Sequence, residues 1–311
     1  MIVVTGAAGF IGSNIVRGLN ALGRTDIVAV DDLTNGEQHL NLNALRFADV
    51  IDRGDLFDAL PGIAKIEAVF HQGACSDTTE SDGRYMMKNN YEYSKRLLHA
   101  AEERGAKFLY ASSAAVYGDG KHGFREEPAC EYPLNVYGFS KMVFDQHVRR
   151  RLGGARSQIV GLRYFNVYGP QERHKGRMAS VAMHLHDQLD ASGEMRLFEG
   201  SDGFLRDFVH VDDAVAVNLF FFGNDKSGIY NCGTGRARSF VDVAACLRER
   251  HGNGAVREIP FPADLAGKYQ RFTEADLTGL RGAGYDKPFL TLEDGIARYY
   301  ESLRSTRGYL R

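Results

Sequence analysis

The chain has 311 residues, a formal charge of −2, 44% hydrophobic and 25% charged residues. That excludes a disordered, collagen-like or small disulfide-held chain, and the near-zero charge argues against a nucleic-acid or anionic-membrane binder, which needs a basic excess. Glycine is the outlier, at 35 residues or about 11% against a usual share of about 7%, so the backbone must somewhere turn tightly or approach something closely.

Taken in chain order, Ile2 to Val4, Ile27 to Val30, Ala68 to Phe70, Lys107 to Ala111 and Ile159 to Arg163 read as strands, short apolar runs without polar alternation. Ile11, Ile15, Leu19 and Leu22 form one apolar helix face, and Met86 to Glu103 reads as a longer helix. Unalternating strands separated by helices predict an α/β fold, a doubly wound parallel Rossmann sheet covered on both faces. Beyond about residue 168 come a polar loop (Gly169 to Gly176), a helix (Met178 to Leu189) and short strands around Arg196 and Asp207. Helices follow over Asp212 to Leu219, Ser239 to Glu249 and Leu292 to Arg304. The length suits two units. We expect a dinucleotide-binding domain over 1–168, completed by about 211–231, and a second, smaller α/β substrate lobe from 169–210 and 232–311.

Cys75, Cys130, Cys232 and Cys246 are widely spaced, with no CxxC pair and no His at zinc-ligand spacing, so neither a disulfide framework nor a metal site is expected. The opening segment has no basic n-region, and Gly6 and Gly9 break its apolar run. No stretch reaches the ~18 apolar residues of a membrane span, so a cytoplasmic chain is expected.

Gly6, Gly9 and Gly12 stand between the first strand and first helix, where a pyrophosphate-binding turn needs a tight bend, a close backbone approach and close helix packing. The second strand ends in Asp31 and Asp32, where an acidic group usually holds the adenosine ribose and favours NAD. Arg53, after the third strand, offers a cation to a 2′-phosphate. The bland alternatives are an ordinary strand-to-helix turn and aspartates that only cap a helix.

The GxxGxxG spacing, Ser112-Ser113-Ala-Ala-Val-Tyr117-Gly and Tyr137-Gly-Phe-Ser-Lys141 resemble the extended, nucleotide-sugar branch of the short-chain dehydrogenase/reductase superfamily. By that resemblance Asp52 approaches the adenine. YxxxK occurs three times, as Tyr91/Lys95, Tyr117/Lys121 and Tyr137/Lys141. The second lies in a glycine-broken loop and the first on the helix before the serine strand. The third opens a helix after that strand, with both side chains on one face, so Tyr137 is the expected acid/base. Its phenol titrates at about 10 when free, and a phenolate near neutrality requires about 4 kcal/mol from the Lys141 ammonium and a positive nicotinamide. Ser113, ahead of Ser112, would bond the substrate oxygen. Ala114 and Ala115 replace the Asp-Glu pair of sugar dehydratases, leaving epimerisation or simple reduction.

The second half narrows the resemblance. Gln171-Glu-Arg-His174-Lys175-Gly-Arg177-Met-Ala-Ser-Val is similar to the ADP-L-glycero-D-manno-heptose 6-epimerases. So are His71-Gln-Gly-Ala-Cys75-Ser76, Leu197-Phe198-Glu199-Gly200-Ser201, Arg206-Asp-Phe-Val and Gly267-Lys-Tyr269-Gln-Arg-Phe. The resemblance implies oxidation of the heptose C6 hydroxyl by tightly bound NADP, a transient 6-keto sugar and hydride return to the other face, in lipopolysaccharide inner-core precursor synthesis. Tyr137 and Lys175 would be the two acid/base groups, with Lys141 and Ser113 assisting. Cofactor contacts would fall on Gly6, Gly9, Phe10, Ile11, Gly12, Asp31, Asp32, Gln38, Arg53, Gln72, Gly73, Ala74, Cys75, Ser76, Asn89, Lys141, Val167 and Lys175. Substrate contacts would fall on Asn166, Arg177, His184, Phe198, Glu199, Gly200, Ser201, Arg206 and Tyr269. A homo-oligomer, commonly a pentamer in that family, is also implied. Asp32 and Gln38 depart from the family's Asn and Lys, and position 177 is commonly Ser; the first two changes weaken the attraction for a 2′-phosphate and leave NAD possible. A UDP-hexose 4-epimerase and a non-catalytic dinucleotide-binding sensor are the rival readings.

Overall fold

The computed structural model describes residues 1–261 and 270–311. The first half alternates strand and helix: β1 (Ile2–Thr5), α1 (Phe10–Ala21), β2 (Ile27–Asp31), β3 (Asp49–Asp52), α2 (Leu56–Ala59), β4 (Ala68–His71), α3 (Gly83–Met86), α4 (Tyr93–Glu103), β5 (Lys107–Ser113), α5 (Val136–Leu152) and β6 (Ile159–Tyr164). Among the described residues these strands and a later one, β10 (Gly228–Cys232), form a seven-stranded sheet ordered β10-β6-β5-β4-β1-β2-β3. Its neighbouring strands are all parallel. The order reverses at β1, so the carboxyl ends of β1 and β4 open the crevice in which such sheets take their ligands.

The unalternating strands follow from burial on both faces. Ile2 and Val4 enter one core with Ile15 and Leu19 of α1, whereas Val3 between them enters the opposite core with Leu97, Leu98, Phe108 and Phe144. The β3 strand, which precedes Arg53, lacks the apolar run of the others because it is an edge: Asp49, Val50 and Asp52 are exposed. The predicted helix from Met86 begins earlier, at Gly83 behind an Asp82 cap, and passes through a π-helical stretch, Met87–Glu92, before α4.

After β6 come β7 (Asn166–Tyr168), a 3₁₀ turn (Arg173–Met178), α6 (Val181–Ser192), β8 (Glu194–Phe198), β9 (Leu205–His210), α7 (Val211–Phe222), β10 (Gly228–Cys232), β11 (Ala237–Ser239), α8 (Phe240–His251), β12 (Ala255–Ile259), α9 (Thr278–Gly282) and α10 (Leu292–Thr306). Two small sheets, β11-β9-β7 and β12-β8, lie outside the large one, and β7 falls within the 1–168 segment expected for the first domain. The second lobe's own core joins α6, α8 and α10 through Leu185, Leu247, Ile296 and Tyr299. The chain returns to the first core with Ala214, Val217 and Phe221 of α7, and again with Leu280, Ala283 and Tyr285. The last three fall inside the segment expected to form the second lobe, yet they pack with α1 and α7.

Helix α6 starts three residues later than expected. The Ser180 side chain accepts from Met183 N–H at 3.3 Å, which makes Ser180 the N-cap and leaves Ala179 extended. Asn135, Ser239 and Thr291 cap α5, α8 and α10 in the same way. Helix α1 is the contrast, for Gly9 precedes it and supplies no side-chain cap.

Candidate active site

A cleft of about 720 Å³ opens at the crevice between β1 and β4 and runs toward the second lobe. Its floor is the β1–α1 turn. Gly6 has φ +67°, and a Cβ there would lie 2.7 Å from the Gly73 nitrogen; a Cβ on Gly12 would lie 1.9 Å from the Gly6 carbonyl oxygen. Only glycine permits this three-way approach of turn, helix and β4 exit. With no side chain over the start of α1, its first N–H groups remain available to an anion. This cradle fits a dinucleotide pyrophosphate.

Asp31 sits at the end of β2 and lines the cleft. Its carboxylate accepts from Ala8 N–H at 2.8 Å and Asp32 N–H at 2.9 Å. Burial pushes its pKa up and those bonds oppose the shift. Asp32 is instead ion-paired with Arg53 at 2.6 Å, and Arg53 reaches Asn89 at 3.2 Å. This half-exposed cluster stands beyond the cleft wall proper. Asp52 accepts from Gly54 N–H at 2.7 Å, which is a turn contact. Gln38 lines the cleft on the same side, and Gln72, Gly73, Ala74, Cys75 and Ser76 line it after β4, where Asn90 clamps Cys75 through both backbone groups at 2.9 Å.

Ser113, Tyr137 and Lys141 meet in the cleft. Ser113 ends β5, and its Oγ accepts from Ala115 N–H at 3.1 Å. Tyr137 opens α5, where burial raises its pKa and a bond with Ser113 opposes that rise. Lys141, one turn on, donates to the Ala111 carbonyl at 2.8 Å, and burial brings it down to about 8 against the pull of Asp145. The phenolate expected from sequence is therefore not favoured by the chain alone: burial outweighs the help of Ser113, and Lys141 stands 6.0 Å from the Tyr137 ring centre.

The other two Tyr-Lys pairs are elsewhere. Tyr117 is buried and donates to Asn231 at 2.6 Å, while Lys95 stacks over Tyr91 at 4.4 Å on a helix surface. Ser112 donates to Asp145 at 2.9 Å. Asp145 also receives Tyr110 at 2.8 Å and Arg163 at 2.8 Å, so Ser112, though it lines the cleft, has its hydroxyl tied into a buried polar network.

Lys175 enters from the second lobe. It lines the cleft with its Nζ 5.3 Å from the centre of the Phe10 ring, and burial lowers its pKa while Glu172 opposes. Its loop is fastened at the root by Glu172, which accepts from Ser180 N–H and Oγ, each at 2.6 Å. His174, Phe208 and Phe240 also line the cleft and were not assigned roles from sequence. Burial and Lys175 hold His174 down to about 4, and Asn41 lies 3.0 Å from its Nδ1. Phe208 stands within the Arg206-Asp-Phe-Val motif, whereas no local pattern distinguishes Phe240.

Of the expected substrate residues, Asn166 lines the cleft, as does the cofactor candidate Val167. Arg177 does not: its guanidinium is bound to Asp77 and Thr79. His184 faces the Arg177 carbonyl at 3.4 Å. Phe198, Glu199, Gly200 and Ser201 form the β8 exit outside that wall. There Glu199 N–H donates to Ile259 at 2.9 Å, the Ser201 hydroxyl donates to the Phe198 carbonyl, and Phe198 packs edge-on to Phe261. Arg206 is buried, with its guanidinium 5.8 Å from the Phe240 ring centre, so it backs the wall. Tyr269 lies outside the described residues. Among the described residues no group of three or more His, Cys, Asp or Glu side chains could hold a metal ion, and no helix is long and apolar enough to cross a membrane.

Residues 2–233 match the model of the NAD dependent epimerase/dehydratase family, and the chain belongs to that family. Over 317 aligned positions it is 56% identical to the ADP-L-glycero-D-manno-heptose-6-epimerase of Brachyspira hyodysenteriae, with the whole of both chains covered. The crystal structure of the Helicobacter pylori ADP-L-glycero-D-manno-heptose-6-epimerase is similar at a TM-score of 0.86 and 33% identity, over 98% of this chain and 96% of that one. The UDP-glucose 4-epimerase of Thermus thermophilus in complex with NAD is similar at a TM-score of 0.82 and 26% identity, over 98% and 99%.

Proposed function

We propose that the chain inverts C6 of ADP-D-glycero-D-manno-heptose to give ADP-L-glycero-D-manno-heptose, supplying a precursor of the lipopolysaccharide inner core. Identity of 56% over the full length of a relative with that name supports the substrate. The geometric support is that Tyr137, from the first lobe, and Lys175, from the second, line one cleft. Inversion calls for a proton-transfer group on each side of the carbon, and two lobes facing each other supply that.

A bound nicotinamide dinucleotide supplies hydride acceptance and return at C6. Tyr137 Oη moves the proton of the C6 oxygen for one epimer, with Ser113 Oγ orienting that oxygen. Lys175 does the same for the other epimer, and the burial that lowers its pKa makes its Nζ readier to exchange a proton near neutral pH. Lys141, anchored on Ala111, holds positive charge beneath the phenol. We assign NADP ahead of NAD on Arg53, the cation just beyond the cleft wall after β3, with Asp32 as its competitor for a 2′-phosphate. Residues 1–168 with 211–231 would hold the dinucleotide, and 169–210 with 232–311 the ADP-sugar. By kinship with the family we place the chain in the cytoplasm as a homo-oligomer.

The test is turnover of ADP-D-glycero-D-manno-heptose in deuterated water, beside UDP-glucose. Product formed with protium retained at C6 is expected. Deuterium at C6 would overturn hydride transfer, and conversion of UDP-glucose alone would favour a 4-epimerase.

A further inference from the structure

The loop carrying Lys175 is held at two points of different kinds. Its root is buried and multiply bonded: Glu172 takes Ser180, Gln171 donates to the Asn41 carbonyl at 2.7 Å, and Arg173 pairs with Asp187 at 2.9 Å. Its tip turns at Gly176, with φ 52° and ψ −123°, and places Arg177 on the surface. There the guanidinium donates to Asp77 at 2.6 Å and to Thr79 Oγ1 at 2.9 Å. Asp77 belongs to the loop after β4, about a hundred residues away in sequence. That partner is prearranged, for Asp77 also accepts from Thr79 N–H at 2.8 Å and Thr79 Oγ1 at 2.7 Å.

Both loops line the cleft, one through Lys175 and Met178, the other through Cys75, Ser76, Asp77 and Thr78. The Arg177–Asp77 ion pair therefore ties these two cleft-lining loops together at the surface. We propose that Arg177 is a positioning residue: with Asp77 and Thr79 it forms a clasp that holds the Lys175 loop closed over a bound dinucleotide and slows its escape. This inference rests on the reading of the cleft as a dinucleotide site. A redox-neutral reaction has no need to exchange its cofactor between turnovers, so slow escape of the dinucleotide costs it nothing. The side chain of Arg177 is 69% exposed, and an exposed pair of this kind is worth about fivefold or less in a rate or equilibrium and weakens with salt.

Release of NADPH from the preloaded chain, followed by its fluorescence during displacement with excess NADP, tests the clasp without epimerisation. Arg177→Ser and Asp77→Asn should each release NADPH about threefold to fivefold faster than wild type at low salt. Salt should accelerate release from wild type much more than from either variant. The double exchange Arg177→Asp with Asp77→Arg should restore slow, salt-sensitive release. Equal rates for wild type and Arg177→Ser, or equal salt sensitivity, would overturn the clasp while leaving the cofactor reading intact. Failure of the wild type to bind NADPH or NADH would overturn both.

Discussion

Lys141 donates to the carbonyl of Ala111 at 2.8 Å, tying helix α5 to the end of strand β5 directly beneath the cleft. The bond fixes an amine whose pKa burial has brought down to about 8. Below that pH the group is an ammonium, whose charge would add to that of a bound nicotinamide in drawing Tyr137 toward the phenolate; above it that charge is lost. Epimerisation should therefore fall on the alkaline side with a midpoint near 8. Lys141→Arg keeps its charge to higher pH and should move that limb upward, which a pH–rate profile of both proteins would check.

Tyr137 and Tyr117 should separate chemistry from stability. Tyr137→Phe removes a proton-transfer group and should cost about 10²–10⁴ in turnover, with cofactor binding retained. Tyr117→Phe leaves the buried Asn231 amide without the donor it has at 2.6 Å and should cost about 1–3 kcal/mol of stability. Activity per folded molecule should stay near wild type. Thermal melts and kinetics on both variants distinguish the two outcomes.

Arg53 is shared between Asp32 at 2.6 Å and Asn89 at 3.2 Å. A 2′-phosphate would have to compete with Asp32 for that guanidinium and bear the repulsion of its carboxylate. Asp32→Asn should raise the NADP-to-NAD affinity ratio by about tenfold, roughly 1.4 kcal/mol, and Arg53→Ala should lower it. Titration of all three proteins with both cofactors is the measurement, and tighter NAD binding by wild type would reverse the NADP assignment.

Gly12→Ala should be more damaging than its one carbon suggests, because the added Cβ would sit 1.9 Å from the Gly6 carbonyl oxygen. Helix α1 must then move off the turn, and we expect loss of dinucleotide binding together with about 2 kcal/mol or more of destabilisation. Gly23→Ala, which has φ +79° but no neighbour within 4 Å, should cost less and leave binding unchanged. Melting temperature and nucleotide titration on the pair would show whether crowding or conformation governs.

Local pattern was sufficient for the parallel sheet, the glycine turn and the order of the first-lobe elements, because burial on both faces and a backbone-only contact leave marks on residue type at short range. It also set Tyr137 and Lys141 one turn apart on one helix, since helix register is a local property. Tertiary structure decided what depends on partners distant in the chain. Arg177 turns to Asp77 because a carboxylate prearranged by Thr79 waits across the cleft. Ser112 turns inward because Asp145 and Arg163 lie behind β5. Burial, not the Tyr-Lys spacing, sets how readily Tyr137, Lys141 and Lys175 give up protons, and burial exists only once both lobes have packed around the cleft.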